Sequence, residues 1–566
     1  MKSTNIGVLA VLSFGFLSCA AIPSQPQPKE NEVTILHGGT IYTMDNRQAR
    51  AEAVVITNGR ISKVGDSATI LAQYKDRDVR RINLKGNTVV PGLTDAHMHL
   101  FSLGRATFFI DLVGTQSKEE IAKKVAEAVK TAKPGEWIRG RGWDQNDWGP
   151  SNNTFPNAQD LDAVSPNNPV ALTRVDGHAL WVNTAGLKAA NITDQTSDVE
   201  GGSIQRSAGK ATGIFIDNAM GLVRKTIPGF TKAQLKESVL RAQAMCLRSG
   251  LSQVHDMGMS AEQLSILREL KREGQLKLRV YVMLDGSSEQ LETLFAQKPQ
   301  FPETHEDLLT VRGVKFFVDG ALGSRGAALF EDYDDDPKNK GLILTPLGEL
   351  EKKIRMAKKY GFQVAIHAIG DRGNQSVLDL YEKIYGENAI DFRPRVEHAQ
   401  VLSEQDIPRF SHLGVIASMQ PTHATSDMPW AEKRVGPKRI EGAYAWRSLM
   451  TANATIAAGS DAPVESIDPR LGLYSAVSRQ DHAGLPAGGW RPQERMTGAE
   501  AIAAFTKNAA WAGFRENDLG QIREGFLADL TVFDIDPVNA PAEALLKAQV
   551  QMTIVAGKIA YTIQTP

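Results

Sequence analysis

Six side chains able to bind a metal or move a proton stand at the ends of apolar runs in this chain: His97, His99, Lys315, His367, His398 and Asp461. The most informative are the first two, which close Val89-Val-Pro-Gly-Leu-Thr-Asp95-Ala-His97-Met-His99. On a β-strand, residues i and i+2 point to the same face. Two neutral imidazoles on one face can hold a divalent metal, and such a metal makes a nucleophile from water at neutral pH. Alone, a His-x-His pair is a weak motif that two surface histidines satisfy equally well. Its weight comes from what lies downstream.

Those groups need elements to carry them. Val311–Val318, Gln363–His367, Arg395–His398 and Ala454–Asp461 read as strands, with helical patterns at 347–360 and 373–385 between them. Repeated βα units imply a parallel sheet. In a βα barrel, catalytic groups gather at the C-terminal strand ends, where these histidines and acids fall. The two chain ends differ from this middle. Residues 33–84 and 528–561 read as short strands, and Asn58-Gly59 is a strong hairpin signal. One small β-domain built from both ends is expected.

Five motifs in order give the chain a family resemblance. Pro-Gly-Leu-Thr-Asp95-Ala-His97-Met-His99, Gly313-Val-Lys315-Phe-Phe-Val-Asp319-Gly-Ala-Leu-Gly-Ser-Arg325, Ile366-His367-Ala-Ile-Gly-Asp371, Val396-Glu-His398-Ala-Gln and Gly459-Ser-Asp461-Ala-Pro resemble the amidohydrolase superfamily. Within it they resemble amidohydrolase family 3, which includes N-substituted formamide deformylases. The resemblance runs from about Val33 to the C-terminus. It implies an α/β fold: a (β/α)8 TIM-like barrel over 91–514, with a composite β-sandwich formed by the N- and C-terminal segments 33–90 and 515–566. The stretch from His99 to Lys315 is too long for three βα units of a barrel of about 250 residues. An inserted subdomain after strand 1, at about 102–210, is therefore expected.

The resemblance also implies one or two divalent metal ions, usually zinc. By it, His97, His99 and Asp461 would bind one ion, His367 and His398 the other, and Lys315 would bridge them. Imidazole and carboxylate are good zinc ligands, but an ammonium has no lone pair. Desolvation in an apolar strand should lower the pKa of Lys315, and the neutral amine can then take up carbon dioxide as a bridging carbamate. The expected reaction is metal-assisted hydrolysis of a non-peptide C–N bond in an N-substituted amide, formamide or cyclic amide. Asp461 would take the proton of the attacking water and pass it to the leaving nitrogen. An aminoacylase- or dipeptidase-like activity, an ester or lactone hydrolase and a deaminase use the same centre with another substrate. A non-enzymatic ligand binder with a structural metal is the remaining class.

Several nearby residues are candidates for contact with substrate. His178, in Val175-Asp-Gly-His-Ala-Leu-Trp181, is placed against the substrate or a developing oxyanion. Trp143 and His423 are candidate pocket walls, and Arg325 is a candidate partner for a substrate carboxylate.

Composition sets the outer bounds. The chain has 566 residues, a formal net charge of -1 and two cysteines. No basic stripe points to nucleic acid, so a small-molecule substrate is expected, and homo-oligomerisation stays open. Lys2, the apolar run 6–17 and Leu17-Ser-Cys19-Ala read as an export signal over 1–19 of lipoprotein type, with Phe16 departing from the usual Leu. A Pro/Gln-rich linker over 20–32 follows. These features predict an exported protein, periplasmic or membrane-anchored, touching a membrane only through a lipid on Cys19. Cys246 reads as a buried structural thiol.

Overall fold

The computed structural model describes residues 33–148, 154–174, 179–199, 202–217, 219–323, 325–386 and 389–563. The expected export signal with Cys19, the linker and His178 lie outside the described residues.

Eight strands form one all-parallel sheet in chain order: β1 (Leu93–Met98), β2 (Leu251–Met259), β3 (Arg279–Asp285), β4 (Leu309–Phe317), β5 (Gln363–Ala368), β6 (Arg395–His398), β7 (Ile416–Met419) and β8 (Thr455–Ala458). Nearly every residue of these strands is buried, as expected of parallel strands covered on both faces. The last strand returns to the first. Just past the end of β8, Asp461 N–H donates to His97 C=O at 2.6 Å, and His99 N–H donates to Ala462 C=O at 2.8 Å. Gly459 permits this approach, since a Cβ there would sit 2.5 Å from His97 N. The sheet is thus a nearly closed TIM-like barrel, in agreement with the expectation.

Helices Lys232–Arg248, Ala261–Arg272, Leu347–Tyr360 and Asp371–Tyr385 pack outside it. Their apolar stripes are core: Val239, Ala242 and Cys246 on the first, Leu264, Leu267 and Leu270 on the second. The Cys246 thiol is buried and unpaired.

The chain ends meet in a second eight-stranded sheet, where Thr88–Pro91 pairs antiparallel with Leu530–Phe533. Leu36, Ile41, Val54, Val89, Leu530 and Ile554 fill one face, and Ile35, Ala53, Val55, Ile70 and Tyr74 fill the other. Asn58 and Gly59 form the hairpin between Arg50–Thr57 and Arg60–Gly65, both with positive φ (50° and 75°), as a type I′ turn requires.

A third sheet of six strands is inserted after β1 and runs from Ile110–Asp111 to Lys210–Asp217. Helix Leu100–Ala106, between β1 and this insert, packs on the barrel: Gly104 lies against the Ser238 backbone, where a Cβ would be 1.9 Å from Ser238 O.

Candidate active site

The C-terminal mouth of the barrel holds a cavity of about 400 Å³ lined by His97, His99, Lys315, His367, His398, His423 and Asp461. Residues 97 to 461, far apart in sequence, are brought together because each stands at or just beyond the end of its strand. His97, His398 and Asp461 each offer a donor atom within 4.8 Å of the others. His99 Nε2 lies 3.2 Å from Asp461 Oδ1, and His97 Nε2 lies 3.4 Å from it. His367 stands beside His398, with ring centroids 4.6 Å apart, but its Nε2 lies 3.3 Å from Gly320 C=O. The tightest donor set therefore takes one histidine from each of the two groups expected from sequence.

Hydrogen bonds fix which nitrogen of each ring is free. His97 donates Nδ1–H to Glu397 Oε2 at 2.6 Å, and His398 donates Nδ1–H to Gln420 Oε1 at 2.9 Å. In its neutral form, the one a metal would bind, each ring therefore presents an Nε2 lone pair. His423 has the opposite tautomer. It accepts from the Gln400 amide at Nδ1, 3.2 Å away, so its Nε2 carries the proton, 3.9 Å from Asp461 Oδ2. Backbone strain coincides with this centre. Asp461 and His398 have φ of 59° and 75°, a left-handed conformation that costs non-glycine residues of the order of 1–3 kcal/mol and clusters at functional sites.

Burial governs the charges. It pulls the Lys315 ammonium below its ordinary pKa, against the pull of Glu397 and Asp461. It lowers His367 to about 3 and His398 well below the usual imidazole range, so both are neutral near pH 7. Burial also pushes Asp461 upward, but His97 and His99 overcome this and hold it well below the ordinary carboxylate range. Asp461 has no helix to cap, because the residues after it form turns.

Glu397 was not singled out by sequence reasoning. It is fully buried inside the barrel, paired with Arg395 Nε at 2.7 Å and with His97. Burial raises its pKa, yet Arg395 and His97 outweigh burial and bring it down to about 2. The readable signal is Arg395-Val-Glu397, two charges at strand spacing on one face of an otherwise apolar run. Arg395 also donates to Ala96 C=O, Ser418 Oγ and His255 Nδ1, which makes His255 a structural partner.

Two expected contacts are corrected. Trp143 does not line the cavity. It is fully buried in the core of the inserted sheet against Trp148 and Trp181, and donates its indole N–H to Leu172 C=O. A large aromatic beside strand residues fills core as readily as it meets ligand. Arg325 is engaged by Asp335 at 3.0 Å, which also pairs with Arg434, so its donor fork is already occupied. Asp319 accepts the N–H groups of Ala328, Ile369 and Gly370. It holds the loops beside His367, 3.6 Å away. His423 lines the cavity as expected.

Comparison with known proteins agrees with this geometry. A family model described as "Amidohydrolase family" matches residues 80–561. The chain is 36% identical over 542 residues to Protein LONG AFTER FAR-RED 3 of Arabidopsis thaliana, covering 93% of this chain and 91% of that protein. It is 28% identical over 546 residues to N-substituted formamide deformylase of Arthrobacter pascens, covering 92% and 97%. Among solved structures, an uncharacterised metal-dependent hydrolase from Pyrococcus furiosus superposes with a TM-score of 0.74 at 32% identity, covering 90% of this chain and 100% of that one. With its barrel, its strand-end histidines and a family match over most of its length, the chain belongs to the amidohydrolase family.

Proposed function

We propose that this chain is a zinc-dependent hydrolase of a C–N bond other than a main-chain peptide bond, such as that of an N-substituted amide or formamide. The observation that carries the reading is a set of buried polar atoms without hydrogen-bond partners, the Nε2 of His97 and Oδ1 of Asp461, facing one another at 3.4 Å. Buried atoms of this kind are rarely left unsatisfied, and imidazole and carboxylate are the donors zinc prefers. His97, His398 and Asp461, with His99 beside them, would hold an ion; His367 and Lys315, the latter as a carbamate, would extend the site to a second. A bound zinc supplies Lewis acidity and makes water reactive near neutral pH.

The chain's own residues do the rest. Asp461 accepts the proton of the attacking water and returns it to the leaving nitrogen. His423 donates Nε2–H to the substrate oxygen as negative charge grows on it, as a fixed donor aimed at a developing charge should. Glu397 keeps the His97 ring in its tautomer. Phe317, Leu322, Ile369 and Trp430 wall the cavity and favour an apolar N-substituent of small-molecule size. The formamide deformylase relative supports this substrate class.

The test is elemental analysis followed by assay of N-formyl and N-acyl amines. One or two zinc ions per chain and hydrolysis abolished by chelation are expected. Turnover unchanged after full metal removal would reject the reading. In Asp461→Asn, turnover should fall by about a hundredfold or more, as loss of a general base does. We further infer export with a lipid on Cys19. Mass spectrometry of the processed N-terminus should find a diacylglyceryl-cysteine, and a free or uncleaved N-terminus would refute it.

A further inference from the structure

A second cavity, of about 640 Å³, opens between the inserted sheet and the barrel, and Arg105, Arg139, Arg141 and Arg224 all line it. Three elements deliver them. Arg105 comes from the last turn of helix Leu100–Ala106, and Arg224 ends helix Met220–Arg224. Arg139 and Arg141 share one face of strand Ile138–Trp143. The chain as a whole is almost neutral, so this concentration of cations is local.

Among the described residues these four have no ion-pair partner. Two fully buried arginines are paired, Arg395 with Glu397 and Arg279 with Asp529, while a third, Arg479, is met by the carbonyls of Trp490 and Tyr444. The one carboxylate on the cavity wall, Glu262, is solvent-exposed, as are Arg141 and Arg224, whereas Arg105 and Arg139 are half-buried. Arg105 donates to Ser102 Oγ at 3.0 Å. Arg139 is stacked over Phe109 and Phe230, with its guanidinium carbon 4.4 and 5.5 Å from the ring centroids. Stacking fixes the plane of a donor fork while leaving its N–H edges free. Burial and the charges of Arg105 and Arg224 all press Arg139 toward losing its proton. Like charges held together without partners cost stability, and such costs mark functional sites.

We propose that this cavity binds a small oxyanion of two or more charges, a phosphate or polycarboxylate group, gripped by Arg105 and Arg139. Arg–phosphate and Arg–carboxylate pairs are the strong, often bidentate hydrogen bonds of proteins. A cleft of about 640 Å³ has room for a small molecule. The site shares no lining residue with the metal cavity, yet helix Leu100–Ala106 begins at His99 and ends beside the arginines.

Calorimetric titration of the full-length protein with inorganic phosphate and with tricarballylate tests it, and the preferred probe identifies the headgroup. Saturable binding that weakens with salt is expected, and Arg105→Gln and Arg139→Gln should each weaken it by about tenfold or more. The unliganded melting temperature of each variant should stay level or rise, because repulsion is relieved. Binding undiminished in both variants places the anion elsewhere, such as at the metal, and overturns the proposal. So does the absence of saturable binding up to tens of millimolar, or unliganded variants that melt well below the parent, which would make the arginines structural.

Discussion

Glu397 and Gln420 hold His97 and His398 by Nδ1, and the usable lone pair on each ring follows from that hold. Second partners of this kind typically change metal affinity by about 10- to 100-fold. Glu397→Gln should lower zinc affinity by that range, read by competition with a chromophoric chelator. It should also destabilise the fold by about 3–5 kcal/mol, since Arg395 would be left buried without its anion. Unchanged affinity would show that Glu397 serves Arg395 alone. His423 makes the complementary case. His423→Phe removes the Nε2–H donor without touching the proposed ligands, so zinc content should be retained while kcat falls by about a hundredfold or more. Wild-type kcat in that variant would remove His423 from the mechanism.

At the scale of elements, helix Leu100–Ala106 and β2 share a buried acid. Leu100 N–H donates to Asp256 Oδ2 at 2.7 Å. Burial pushes the Asp256 carboxyl up from 3.8 to about 6. The folded state then binds more protons than the unfolded chain between those values, so stability falls as pH rises through that window. Full expression of the shift amounts to about 3 kcal/mol. Asp95 and Asp427 are also raised to about 6 by burial and act in the same direction. Asp256→Asn keeps an oxygen for Leu100 and cannot ionise. Between pH 4 and 6 the calorimetric stability of the metal-free variant should gain on that of the parent as pH rises, by up to about 3 kcal/mol, on top of the opposite slope that the buried neutral His367 and His398 give both proteins. Parallel curves would show that Asp256 does not titrate there.

The whole molecule is tied together by contacts between distant parts of the chain. Arg279, at the start of β3, bonds Asp529 at 2.6 Å with both side chains almost fully buried, and Asp529 also accepts Ala556 N–H. This pair joins the bottom of the barrel to the terminal sheet. Asp529→Ala leaves a buried guanidinium unpaired and should cost about 3–5 kcal/mol in a denaturation experiment. A loss below about 1 kcal/mol would mean that water reaches Arg279.

Periodicity and motif order carried much of this architecture. The β-strands carrying His97, Lys315, His367 and His398 were legible because each is a short apolar run bounded by turns, and Asn58-Gly59 marked a hairpin through the positive φ its backbone needs. Partnership was not legible. Trp143 and Arg325 have residue types suited to ligands, and only their neighbours Leu172 and Asp335 show them already committed. Nothing local to Arg139-Gly-Arg141 reveals that Arg105 and Arg224 come to the same cavity.

By itself the sequence determined which atoms can donate, accept or ligate, and which runs must be buried, since both follow from side-chain chemistry and local spacing. Only the tertiary structure decided which nitrogen of each histidine is free, which arginines lack an anion, and that His97 faces Asp461. Those properties are set by groups hundreds of residues apart, through distances that exist only once the barrel closes.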